Sequence, residues 1–242
     1  MPERSTTPAV TDTALQIASF CRDMCAVITA DPSGVWGKIT AAAVRLLDPV
    51  DHAGITVIDD GGGVQPRAAT DRLAETLEDI QKCFLQGPGI DAVRTQQPQI
   101  VIDVVTDGRW PTFVANAGAL PVRSLASFPL TTGEHTRSAL TLAAEVPNAF
   151  AGDAGALAAV FACNAAVISE TAHRERRLHH TLTNRDTVGQ AKGLLMERFG
   201  IDSAAAFAML TQLSERHQQS VVTVARHLIR RAGGQAARRA SR

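Results

Sequence analysis

The stretch 185–232, RDTVGQAKGLLMERFGIDSAAAFAMLTQLSERHQQSVVTVARHLIRRA, limits the fold more than any other part of the chain. Three helical segments are readable in it, separated by two breaks. The first carries Gln190, Ala191, Lys192, Gly193, Leu194, Leu195 and Met196 and ends after Phe199, at Gly200, a residue type favoured just past a helix end. Asp202 or Ser203 can cap the second, whose apolar side is Phe207, Leu210 and Leu213, with Ala206 alongside. Ser220 can cap the third, where Val221, Val224, Ala225, Leu228 and Ile229 recur at helical spacing. Helices this short are marginal alone, so the three must bury their faces on one another. Leu194, Leu195, Met196, Phe199 and Phe207 are accordingly expected in the core of a three-helix unit, rather than as platforms for stacking bases.

A chain of 242 residues, 45% of them hydrophobic, suits one medium domain plus this small one. The formal net charge is zero, but it divides unevenly. Residues 171–242 hold 13 Lys+Arg against 5 Asp+Glu, a net of +8, and the remainder holds 11 against 19, a net of −8. A basic C-terminal part joined to an acidic body points to a polyanionic partner for that part. No run reads as an uninterrupted membrane-spanning segment, and MPERSTTPAVTD lacks a basic-then-apolar leader pattern, so a cytoplasmic protein with no membrane partner is expected. Cys21, Cys25, Cys83 and Cys163 show no C-x-x-C spacing and read as small buried or half-buried thiols.

Taken in order, residues 1–11 are polar with two prolines and read as disordered. A helix from Asp12 presents Leu15, Ile17, Phe20, Met24, Val27 and Ile28, and a second spans 35–47 after the break Asp31-Pro32-Ser33-Gly34. Residues 54–58 and 64–69 read as a hairpin about Asp59-Asp60-Gly61-Gly62-Gly63. A helix over 71–85 follows, with Leu73, Leu77, Ile80 and Phe84 on one side; then come a short helix at 90–95, a strand at 99–104 and a short helix at 112–117. Strands are expected at 122–130 and 138–144. From Asp153 to Gly200 there is no internal proline, and apolar residues recur every three or four positions, so one long helix is expected, with a polar middle at 171–184 acting as linker. This helix is the expected seat of a parallel homodimer. Residues 233–242 read as a disordered tail with three Arg. Local strand pairs with helices between them predict an α+β domain on an antiparallel sheet with flanking helices.

Chemistry is scarce. The chain has no G-x-S-x-G, H-E-x-x-H or P-loop pattern, Gly61-Gly62-Gly63 lies in a hairpin turn, and His179-His180 point different ways on a helix. Neither an enzyme nor a metal site is expected, and no residue of 12–170 names a cofactor or a ligand for the larger domain.

The run QAKGLLMERFGID, the following AAF and then VVTVARHLI resemble the ANTAR domain, a three-helix RNA-binding module of bacterial transcription antiterminators. The larger part, with GPGIDAVRTQQPQIVIDVVTDGRWPTFVANA, VRSLASFPL and ALTLAAEVPNAF, resembles the GAF sensor half of actinobacterial GAF–ANTAR proteins. The resemblance implies a GAF-like sheet domain over 12–170, joined by a long helix to an all-α ANTAR module over 185–232. It implies no catalysis. The implied partner is RNA: tandem stem-loops in a nascent transcript, in the context of RNA polymerase. The resemblance marks Gln190, Lys192 and Gly193 as RNA contacts, with Arg185 and Arg198 as charge support; Arg226, Arg230 and Arg231 on the last helix follow. The alternative for Gly193 is close helix packing. Gln190 and Lys192 lie about 200° apart around a helix axis, so both meet one strand only if the helix is engaged on two sides. Three departures stand out: Thr211 replaces the usual Arg after Leu210, Gly89 stands where relatives place Cys, and Ala143-Ala144 replaces an aromatic. Read without the resemblance, the basic helices also suit a DNA-binding helix-turn-helix or a surface for a protein partner.

Overall fold

A computed structural model describes residues 8–132 and 136–240. The elements are α1 (Pro8–Ala30), α2 (Val35–Leu46), β1 (His52–Asp59), β2 (Val64–Arg67), α3 (Arg72–Phe84), α4 (Pro88–Thr95), β3 (Gln99–Val101), α5 (Pro111–Ala117), β4 (Ser124–Thr132), β5 (Thr136–Ala144), α6 (Gly152–Phe199), α7 (Ser203–His217) and α8 (Val221–Ala240). They form two compact units, residues 1–175 and 176–242.

The order of elements is the one expected, with shifted ends. The first helix starts at Pro8, a residue whose fixed φ suits a first helical turn, so 8–11 are helical rather than disordered; residues 1–7 lie outside the described residues. The last helix likewise continues through Gly233-Gly234 to Ala240, because the following Gln-Ala-Ala-Arg-Arg-Ala run favours helix; residues 241–242 lie outside the described residues. The C-terminal unit begins at Arg176, earlier than residue 185, which places the second half of the polar 171–184 segment inside it.

In the first unit the five strands run β2-β1-β5-β4-β3, each pair antiparallel. Period-two alternation sorts their side chains. Ile55, Val57, Phe128, Leu140 and Leu142 meet α1, α2 and α6 in one apolar core, where Phe20 and Phe161 stack with ring centroids 5.8 Å apart. The helices are tied there by more than packing, since Trp36 Nε1 on α2 donates to Ser169 Oγ on α6 at 2.8 Å. The opposite face packs Leu125 and Ala143 against Leu77, Val101, Trp110 and Phe113. Turn chemistry fixes the helix starts: Asp71 Oδ1 accepts from the N–H groups of Leu73 and Ala74, each at 2.9 Å.

α6 is continuous over 48 residues. Ala158, Phe161, Ala162, Ala165, Ile168 and Ala172 are buried against the first unit's core, while Val160 and Val167 are exposed. An 18-residue window in α6 has a mean hydropathy of 1.4 and is by length and composition alone apolar enough to cross a membrane, contrary to the sequence expectation. Part of its apolar character comes from the Ala, Phe161 and Ile168 side chains that pack the helix onto the first unit's core, and part from exposed Val160 and Val167.

In the second unit Ala191 and Leu195 of α6, Ala206 and Leu210 of α7, and Val224 and Ala225 of α8 form the buried core. Gly200, at φ +63°, ends α6 in the left-handed conformation that glycine adopts without penalty, and its N–H reaches Met196 O at 2.9 Å. Asp202 caps α7 by accepting from Ala205 N at 2.8 Å, and Ser220 caps α8 by accepting from Thr223 N at 3.2 Å.

Candidate nucleic-acid interface

Among the described residues of the second unit, three of the six in the buried core are alanines, which lets the helices approach closely. Leu195 is buried and Leu194 half-buried, as expected for core, but Met196, Phe199 and Phe207 are not: they are 36%, 54% and 48% exposed. The expectation that all five form the core is corrected accordingly. A three-helix unit has room inside for one narrow apolar stripe per helix, and these three lie off it.

Residues 176–242 hold 12 Lys+Arg against 4 Asp+Glu, a net of +8, on this small scaffold. Four of these basic side chains line two recesses. The first is an open groove of about 680 Å³, where α6 supplies Arg185, Gln190 and Lys192, α7 supplies Phe207 and α8 supplies Val222. Asp186 also lines it, so the groove is mixed rather than uniformly cationic. The Lys192 ammonium lies 6.0 Å from the Phe207 ring centroid, within cation–π range. Arg226 is bound at the groove's edge, its Nη2 donating to Asn184 Oδ1 at 3.4 Å. Gln190 and Lys192 thus both line the groove, despite their wide separation around α6.

The second recess, about 580 Å³, lies between the C-terminal end of α7 and α8. Arg230 and Arg231 line it together with His217, Gln219 and His227, and no Asp or Glu does. The two histidines and Gln219 are absent from the sequence-based candidates, since nothing in their spacing signals that α7 and α8 bring them together. Arg198 is exposed in the last turn of α6 and lines neither recess.

Gly193 does not serve close helix packing. It is exposed, and a Cβ built on it would meet nothing within 4 Å; the same holds for Gly189. Thr211 is half-buried and donates its hydroxyl to Phe207 O at 3.1 Å.

The first unit holds a different kind of polar site. Glu78, Gln81, Thr56, Ser127 and Thr141 are buried between the sheet and α3. Thr56 Oγ1 donates to Glu78 Oε2, Gln81 Nε2 donates to Glu78 Oε1 at 3.2 Å, and Ser127 Oγ donates to Thr141 Oγ1 at 3.0 Å. Gln81 Oε1 in turn accepts from Gly89 N at 2.7 Å. Burial pushes the Glu78 carboxyl up to about 7, against the opposing pull of the Thr56 and Thr141 hydroxyls. A Cβ at position 89 would come within 2.8 Å of Thr56 Oγ1 and 2.9 Å of Thr141 Oγ1, so a side chain there would force these groups to move. The recess beside Glu78 is filled, with no room for a water-sized sphere. Cys25, Cys83 and Cys163 are exposed and Cys21 half-exposed, so these thiols are less buried than expected. Among the described residues no group of three His, Cys, Asp or Glu is placed to hold a metal.

Comparison with known proteins agrees with this division. Residues 29–168 match the GAF domain family and residues 176–229 the ANTAR domain family. No curated protein sequence matches significantly. Among solved structures, a domain assigned to a two-component sensor histidine kinase from Sinorhizobium meliloti 1021 is 18% identical, with a TM-score of 0.48, over 61% of this chain and 94% of that one. The GAF domain of a phosphoenolpyruvate-protein phosphotransferase from Coxiella burnetii is 15% identical, with a TM-score of 0.47, over 68% and 98%. Free methionine-R-sulfoxide reductase from Neisseria meningitidis is 14% identical, with a TM-score of 0.46, over 67% and 93%. With more than half of its length matched, this chain belongs to the GAF domain family, and it carries an ANTAR domain at its C-terminal end.

Proposed function

We propose that the chain is a signal-responsive RNA-binding regulator of transcription antitermination. Its ANTAR unit binds paired stem-loops in a nascent transcript, stabilises them, and lets RNA polymerase pass a terminator. The observation that carries this reading is the charge of that unit, a net of +8 over residues 176–242, with Arg185, Lys192, Arg230 and Arg231 lining two open recesses. Phosphate contacts from such groups position a protein on RNA, and shape then selects the stem-loop.

The same reading makes the protein a non-enzymatic, cytoplasmic homodimer. α6 supports the dimer: Leu178 and Leu182 are 55% and 61% exposed in the second unit, and Val160 and Val167 are exposed in the first. Pairing of two α6 helices would bring two ANTAR units to one transcript, so that binding of the second stem-loop follows at high effective concentration. A signal at the GAF unit would act by changing how α6 pairs.

Single-round transcription in vitro through a terminator preceded by two small hairpins tests the reading. Added protein should raise read-through, and the same template with one hairpin deleted should lose most of the effect. Read-through indifferent to the protein on both templates would contradict it.

A further inference from the structure

Phe207 occupies an unusual position for the one phenylalanine of α7. It lies on a helix whose buried side is Ala206 and Leu210, yet its ring is 48% exposed and forms part of a groove rather than of the core. Leaving so much aromatic surface in water is unfavourable, and nothing in the unit's packing requires it, since a smaller side chain would serve the rim equally well. The groove is also cationic at that point. The Lys192 ammonium sits 6.0 Å from the ring centroid, and Arg185 lines the same recess.

The adjoining face of α6 is bare in a way that fits. Arg185, Gly189, Lys192 and Met196 follow one another at helical spacing along one side, with Gly193 beside them. Both glycines stand in a helix interior, where glycine is unfavourable, and a Cβ at either would meet nothing. Open backbone next to a lysine and an exposed ring gives a strip of RNA access to all three at once.

We propose that Phe207 is a stacking platform for one unpaired base of an RNA loop, with Lys192 and Arg185 holding the phosphates on either side of that base. This rests on the RNA-binding reading above and adds to it a base contact, so that the unit reads a loop as well as the backbone charge. A π-face accepts any base, and the ammonium near the ring favours the electron-rich face of a stacked pair. Asp186, the acid in the groove, lies about 120° around α6 from Lys192 by helical spacing, so the groove offers the RNA one acid beside its two cations.

The test uses the full chain and a two-hairpin RNA carrying 2-aminopurine at successive loop positions. On binding the wild-type protein, one position should be quenched by stacking. Phe207→Leu should abolish that quenching and weaken binding about ten-fold, the usual size of a lost base–aromatic stack, without changing the salt slope. Phe207→Trp should keep both. RNA with an abasic site at the quenched position should lose about the same ten-fold on the wild-type protein, which holds whether or not the leucine variant folds. Equal affinity of wild type and Phe207→Leu, or no loss with the abasic RNA, would overturn the platform while leaving RNA binding intact. Unchanged RNA affinity with weakened self-association would assign the ring to a protein contact and overturn it too. Wild-type protein that binds no hairpin RNA even at low salt would sink the RNA reading and the platform with it.

Discussion

The two units treat their polar and apolar groups in opposite ways. The GAF unit buries a carboxyl, an amide and three hydroxyls on its sheet, and closes the space around them. Among its described residues the ANTAR unit buries six hydrophobic side chains, three of them alanine, and leaves Met196, Phe199 and Phe207 exposed on a unit of net charge +8. Internal satisfaction of polar groups stiffens the region around them and leaves no open space at that cluster. Apolar and cationic groups held at a rim make a surface ready for a partner, at a cost in intrinsic stability. On the proposed reading, the contrast places the RNA-binding surface on the smaller unit.

The sharpest way to break that contrast is to damage one core and watch the other. Leu195 is 6% exposed, and Leu195→Asp forces a charge into the smaller core, costing about 4 kcal/mol. Differential scanning calorimetry should show the ANTAR transition lost and the GAF transition unmoved. A variant that keeps both transitions would show that Leu195 is not core.

A smaller effect separates the two units by pH. The carboxyl of Glu78 is raised from 4.5 to about 7, chiefly by burial. Between those values the folded GAF unit holds a proton that the unfolded chain has released. Its contribution is therefore full below about pH 4.5, falls as pH rises to about 7, and is level above that. Glu78→Gln removes the titration, so the variant should gain on wild type across this window, reaching about 3 kcal/mol at pH 8. Urea melts of the two proteins at a series of pH values measure the difference. A gap that does not change with pH would mean that Glu78 is not the buried titrating group, and the ANTAR transition should show no such gap at any pH.

The smallest effect sharpens the link between exposure and binding. Gly193→Ala introduces no clash and should stabilise α6 by about 1 kcal/mol. Hairpin RNA should nevertheless bind more weakly, because the methyl group occupies the open strip beside Lys192. A variant both more stable and tighter-binding would refute the use of that strip.

Much of the fold is legible in the sequence, because turns and caps announce themselves. Asp71, Asp202 and Ser220 stand where their helices start, Gly200 where α6 ends, and the alternation of 138–144 separates the two faces of the sheet. Burial is less legible where small residues set the packing distance. In α3 the buried positions are Ala74, Leu77, Glu78 and Gln81, so the helix is turned about one residue from the face marked by Leu73, Ile80 and Phe84. The polar pair faces inward because Thr56, Thr141 and Gly89 N offer it partners from distant parts of the chain, information that helical periodicity does not carry. The same holds for the candidate interface. The resemblance marks Gln190 and Lys192, with Arg185 as charge support, and these three line one groove, whereas helical spacing with Leu210 and Leu213 places Phe207 in the core, and His217 with His227 give no sequence signal.

The most direct test of the central claim is fluorescence anisotropy with a labelled RNA bearing two adjacent small hairpins, titrated at several salt concentrations beside duplex DNA of equal length. The account predicts tight binding to the RNA, a steep fall in affinity with rising salt as phosphate counterions are released, and weak binding to the duplex. Equal or stronger binding to duplex DNA, or no salt-dependent binding to either, would contradict it.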